Sequence, residues 1–322
     1  MPTPESPENL EARREALFEK LQLREQYELQ LQMLNETGAL EILPESQEMG
    51  VIGIDGKEYP VPTLKEIKER IQDSEKIELL EKKHSQGFTR LLLVPHAIPT
   101  SVLGERYGQL VSRKVKEGKM KTSKGEPIDE VAEDGPLHCD SGLEVYPLMY
   151  YPDSMLGLSH YSKGNEPPES PEVILSAQQT VGGKTKKELI DDGDPWAIMM
   201  VEDSIEAPRV NSEQTTNGRT QFPAGLPTLE YFTLLKQDPQ YRGEQGLTVE
   251  AWLVMAMTIL HEKDIQIDCW SQEDGPSMLL VGSFFAMVPE AFWHNKQKQG
   301  RIRYIDFDET DPNHGARSSV LI

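Results

Sequence analysis

Cysteine is nearly absent: the 322 residues hold two, Cys139 and Cys269, far apart and with no CxxC neighbour. That excludes a disulfide framework and argues against a cysteine zinc site, so a reducing compartment is expected. No apolar run approaches the roughly 18 residues of a membrane span. The opening stretch MPTPESPENLEARRE has neither a basic head nor an apolar core, so no secretory signal is expected and the cytoplasm is the default location. Positive charge is also short. Lys and Arg number 33 against 54 Asp and Glu, a formal net charge of −21. Such a chain repels phosphate backbones, and nucleic acid is not an expected partner. Residues 113–124 (RKVKEGKMKTSK) reverse the balance locally, with six basic residues and one acid, but lack the aromatics of a nucleic-acid patch and read as a solvated helix end and loop.

Hydrophobic residues make up 37% of the chain, below the roughly 45–50% of an average globular protein counted with glycine. A core is therefore expected over part of the length. At about 100–200 residues per domain the chain has room for two.

The residues that are there point to an α+β organisation. Leu17, Leu21, Leu31 and Leu34 fall at helical spacings, predicting one helix over residues 10–35, with Gly38 where a terminating glycine belongs. VIGIDGKEY (51–59) is a hairpin signal around Asp55-Gly56. Thr63 and Glu66 form a capping box before a second helix. RLLLVP (90–95) reads as a buried strand and 101–116 as a third helix. The polar, Gly- and Pro-containing run that follows reads as a linker over 121–142. It divides a helical N-terminal domain (1–120) from a C-terminal domain (143–322). In the second half, 143–151 and 196–201 read as strands, and 185–192 and 228–236 as helices, the latter capped by Thr228. Thr248 caps a longer helix whose Trp252, Met255, Ala256, Ile259 and Leu260 face inward. From Ile265 onward the pattern changes to short, irregular antiparallel strands.

Catalytic and metal signatures are missing. VGGKT (181–185) fails the phosphate-loop pattern, because Gln178 stands where its first glycine belongs. None of the seven histidines pairs at i, i+4, there is no HExxH and no GxSxG, and His138-Cys139-Asp140 is a lone tripeptide of ligand types. DFDETD (306–311) lacks the glycine and glutamate spacing of a calcium loop. No metal, cofactor or catalytic residue is expected.

The C-terminal residues are more particular. Val288-Pro-Glu-Ala-Phe-Trp293 precedes an alternating strand and an acidic turn, and the chain then runs through Gly315-Ala-Arg317 into an apolar strand. This resembles the C-type-lectin-like, formylglycine-generating-enzyme-like domain of variable proteins from diversity-generating retroelements. GVIGIDGKEYPVP, GFTRLLLVP, GGKTKKEL and DPQYRGEQGLTVEAWLVMA fit the same group. The resemblance implies a non-catalytic recognition protein that binds a protein or other macromolecular ligand on a variable surface. The contact positions it implies are Phe285, Phe292, His294, Asn295, Arg303, Tyr304, Asp306, Asn313 and His314. Trp293, Gly315 and Arg317 are implied as scaffold, the last by analogy with the family's Gly-x-Arg arginine. Cys269 stands alone, so the paired-cysteine oxidase chemistry does not carry over. No EPN, QPD or WND motif is present, so calcium-dependent sugar binding does not either. An enzyme with an unrecognised site, drawing on Cys139 and His138, and a structural component of a phage or mobile element remain alternatives. Oligomeric state is open.

Overall fold

The computed structural model describes residues 6–139, 148–152, 182–206, 215–270, 277–284, 287–306 and 309–322. Two helices, α1 (Pro7–Lys20) and α2 (Leu23–Glu36), replace the single helix that the leucine spacing points to. The break lies at Gln22, whose φ of 52° is left-handed. The bend has a packing reason: Leu17 and Leu21 before it, and Leu23 and Leu34 after it, are all buried. Three short strands follow, β1 (Glu41–Ile42), β2 (Met49–Ile52) and β3 (Glu58–Pro60), paired antiparallel in that order. The Asp55-Gly56 turn sits between the last two, with Gly56 at φ 77°.

Next come α3 (Leu64–Glu69), α4 (Ser74–Ser85), β4 (Phe88–Pro95), α5 (Thr100–Lys116), β5 (Leu137–Cys139), β6 (Met149–Tyr150), β7 (Lys184–Thr185) and α6 (Lys186–Asp191). Both α3 and α6 open on complete capping boxes, Thr63 with Glu66 and Thr185 with Glu188. They lead to β8 (Trp196–Glu202), β9 (Thr215–Thr216), β10 (Arg219–Thr220), α7 (Thr228–Gln237), β11 (Gln245–Gly246) and α8 (Val249–Lys263). Thr228 is the first helical residue of α7, and Pro227 takes the cap position. The chain closes with β12 (Cys269–Trp270), β13 (Ser277–Leu279), β14 (Ser283–Phe284), β15 (Val288–His294), β16 (Gln299–Ile305), β17 (His314–Ala316) and β18 (Ser318–Leu321).

The fold is α+β. Its central antiparallel sheet has the order β11-β18-β8-β4. The β4–β8 ladder runs from Phe88 opposite Glu202 to Pro95 opposite Trp196, with an irregularity after Phe88. A second sheet has the order β17-β13-β15-β16-β5, with β12 also on β15. It is mixed where antiparallel strands are expected, because β12–β15, β13–β17 and β16–β5 are parallel. Strands β14, β6 and β7 form a third, antiparallel sheet. Residues 265–322 contribute strands to all three.

The expected boundary at 121–142 does not divide the core. One apolar cluster reaches from Leu17 to Ile322, and the central sheet pairs β4 with β8 across that boundary. The polar run reads as a linker, yet Thr122 and Ile128 are buried within it. Lys121 bridges both Pro127 and Ile265. At the centre lies α8, buried on every side from Val249 to Leu260. The inward stripe expected of it is too narrow: apart from Glu250 and Thr258, VEAWLVMAMTIL is apolar all round, as suits a helix enclosed by neighbours.

Candidate functional site

The expected contact surface maps onto the β15–β16 hairpin and its flanks. Directly opposed pairs are Glu290 with Arg303, Phe292 with Arg301, and His294 with Gln299. Opposed residues on paired strands share a face, so Glu290, Phe292, His294, Arg301 and Arg303 stand together. Trp270 joins them, its ring 4.9 Å from His294 edge-on and 5.6 Å from Phe292. The Arg303 guanidinium carbon lies 5.4 Å over the Phe292 ring. Partial burial, with Arg301 nearby, holds the His294 imidazole below its usual pKa.

Several expected contact positions are placed otherwise. Phe292 and His314 are buried rather than exposed. Tyr304 shares the opposite face with Ile302 and Trp293, which turn to the core, and burial raises its hydroxyl pKa. Asn295 lies in the turn after β15, half-buried, with its Oδ1 enclosed. Asp306 is half-buried beyond β16. Asn313 is tied by its backbone to Asp311 and Ser277. Phe285 lies outside the described residues.

The scaffold positions are held tightly. Trp293 is fully buried. Arg317 donates to Ser204 O at 2.8 Å and to Asp268 Oδ1 at 2.9 Å, while Trp252 Nε1 donates to Asp268 Oδ2 at 3.0 Å. Gly315 lies in β17 opposite Met278, buried like its neighbours His314 and Ala316.

Two acidic residues that sequence reasoning passed over organise buried clusters. Glu290, closed from solvent, has its Oε1 3.1 Å from His314 Nε2 and its Oε2 hydrogen-bonded by Arg303 Nε. Burial works to raise this carboxyl, but His314 and Arg303 outweigh it and hold the pKa below the ordinary range. Glu250 sits in the first turn of α8, where the helix dipole favours an anion. Its Oε1 accepts from Thr100 Oγ1 at 2.6 Å and Tyr150 OH at 2.6 Å, with Lys186 Nζ 3.0 Å away. Burial pulls its pKa up; the Lys186 charge and these hydrogen bonds pull harder, to about 2. His96 lies alongside, and burial drives it down to about 4. It is therefore neutral at pH 7, where Lys186 is the counter-charge that matters to Glu250. The sequence carried a signal for Glu250, the lone charge in VEAWLVMAMTIL. It carried none for His96 or Lys186, which arrive from β4's end and α6.

The other chemistry-bearing groups are placed as follows. Cys139 and His138 lie on β5, and Cys139 lines a groove of about 860 Å³ along α5. Cys269 is enclosed, bonded to Gln266 O at 3.2 Å, and burial pushes its thiol up to about 12. Among the described residues no cluster of three or more His, Cys, Asp or Glu is arranged to hold a metal ion, and no helix is long and apolar enough to cross a membrane. Set against models of protein families, the chain matches none. No curated protein and no solved structure matches it.

Proposed function

We propose that this chain is a non-catalytic binding protein that recognises a macromolecular ligand on the face of the β15–β16 hairpin carrying His294, Arg301 and Arg303, backed by the buried Phe292 ring. This is where a variable C-type-lectin-like scaffold would present its changing residues. The observation that carries the reading is the packed set of Trp270, Phe292, His294 and Arg303 on paired strands. Aromatic and arginine side chains dominate binding hot spots. Holding them on a paired backbone lowers the ordering cost of association.

One buried cluster that could serve an enzyme, Glu250 with His96 and Tyr150, is ill-tuned for acid–base work at neutral pH. A general acid or base works best with a pKa near the operating pH. Glu250 at about 2 and His96 at about 4 lie well below it, and the Tyr150 hydroxyl is raised far above. Each keeps one protonation state at neutral pH.

The test uses a displayed library of random peptides as probe, panned against the full chain and against a His294→Ala/Arg301→Ala variant. Both side chains are half-exposed, so the variant keeps the fold. Peptides that bind the parent and lose at least tenfold affinity for the variant support the proposal. Enriched peptides indifferent to the variant, or no enrichment at all, overturn it.

A further inference from the structure

A cavity of about 370 Å³ opens at the end of the central sheet where β4 finishes and β8 begins, and no residue of β15 or β16 lines it. Its size lies within the roughly 300–1,000 Å³ of small-molecule sites. His96, Tyr150, Tyr151 and Trp196 supply aromatic walls, and Gln245 borders it. The rings of His96 and Tyr150 are 5.6 Å apart, and those of His96 and Tyr151 6.0 Å.

The polar groups here are unequally used. The Tyr150 hydroxyl is committed to Glu250. The Tyr151 hydroxyl has only a 3.5 Å contact to His96 Nε2, too long for a strong hydrogen bond. Gln245 Nε2 is buried with no partner among the described residues, and so is Glu250 Oε2 behind Tyr150. A buried donor without a partner costs about 1–3 kcal/mol and calls for an occupant that accepts from it. Tyr151 is also held at φ 50°, a left-handed conformation unusual for a bulky residue and concentrated at ligand sites.

The charges around the cavity are matched. Lys186 faces Glu250, Lys184 pairs with Asp192 at 2.8 Å, and Arg70 and Asp194 at the lining oppose each other in sign. His96 is neutral at pH 7. With Lys184 paired to Asp192 and one further lining charge of each sign, the cavity offers a charged ligand no surplus of either sign to offset its lost hydration. An uncharged ring with hydrogen-bonding edges would use both the aromatic walls and the unsatisfied donors.

We propose that this cavity binds a small, uncharged, planar heteroaromatic molecule of the nucleobase class, against His96, Tyr151 and Trp196, with Gln245 and the Tyr151 hydroxyl hydrogen-bonding its edge. The site is separate from the hairpin face and stands or falls independently of it.

The experiment is calorimetric titration of the full chain with adenine, cytosine and uracil, with benzoate and benzamidine as charged aromatic controls. Saturable binding of at least one neutral base is expected, weakened at least tenfold by Tyr151→Phe or Gln245→Leu and unchanged by His294→Ala. Circular dichroism checks that each variant is folded; should one fail to fold, the other carries the comparison. Absence of saturable binding by any neutral base, preference for a charged control, or affinity unchanged in both folded variants would overturn the proposal.

Discussion

Glu290 Oε1 stands 3.1 Å from His314 Nε2, with both side chains closed to solvent, joining β15 to β17 across the intervening β13. The same carboxylate is bonded by Arg303. The packed face proposed for recognition is therefore anchored from beneath by a buried charge. Removing one partner of a buried charged cluster costs up to about 3–5 kcal/mol, and here Arg303 still compensates part of the Glu290 charge when His314 is removed. His314→Leu is expected to lower stability within that range, read as a shift in the denaturation midpoint with unchanged slope. Glu290→Gln, which removes the charge and keeps the shape, should cost less. The reverse order would remove Glu290 from this role.

Acid should unfold the chain in two overlapping stages. His96 has its pKa depressed from 6.5 to about 4 by burial. The unfolded chain thus binds the proton more readily, and stability is lost as pH falls from about 6.5 to 4. Glu250 is depressed from 4.5 to about 2; its contribution is present above about 4.5 and is lost as pH falls towards 2. The His96 shift corresponds to roughly 3 kcal/mol. Denaturant titrations across pH 7 to 3 should show the loss, and His96→Gln should flatten its upper limb. An unchanged slope between pH 6.5 and 4.5 in that variant would contradict the assignment.

Arg219 is the centre of another enclosed network. Its Nε donates to Glu244 Oε1 at 2.7 Å and its terminal nitrogens to Glu244 Oε2 and Glu202 Oε1, each at 2.8 Å. Its guanidinium carbon sits 4.8 Å from the Phe88 ring and 5.4 Å from that of Tyr241. Forked, stacked arginines are not replaced by lysine. Arg219→Lys is expected to cost about 2 kcal/mol or more, and Arg219→Met about 3–5 kcal/mol. Chemical denaturation measures both, and near-neutral values for either would show that Lys83 and Ser318, which also bond Glu244, satisfy it without Arg219.

Gly246 and Gly282 bring two backbone segments into contact. A Cβ on Gly282 would lie 2.1 Å from Gly246 O, and one on Gly246 would lie 2.5 Å from Gly282 N. Neither neighbour is a flexible side chain. Gly282→Ala should therefore destabilise by at least the 1–3 kcal/mol or so of an overpacked core, while Gly56→Ala, with open space but a left-handed φ of 77°, should cost less. Thermal melts of the two variants decide it.

What could be read from the sequence was what is local. The Asp55-Gly56 turn, the Thr63–Glu66 capping box and the apolar strand at Leu91–Val94 depend on neighbours a few residues away. Gln22 could not be read, because its left-handed kink exists to let leucines on both sides reach one core. The linker reading failed because Ile128 joins the main core and Lys121 bridges Ile265, a partner distant in sequence. At the site, period-two alternation along β16 already places Arg301 beside Arg303. The burial of Phe292 and His314 depends instead on which strands flank β15, while Glu250, the lone charge of an otherwise apolar helix run, was legible but its partners His96 and Lys186 were not.

The most direct test of recognition on the β15–β16 face is to sequence the encoding locus across a natural population of cells. Variation is expected to concentrate in codons for His294, Asn295, Arg301 and Arg303 at adenine-matched positions, with a near-identical template and a reverse transcriptase gene nearby. Codons for Glu290, Trp293, Gly315 and Arg317 are expected to stay constant. Uniform codons across residues 280–317 with no template, or changes that fall equally on Glu290 and Trp293, would contradict a diversified recognition surface.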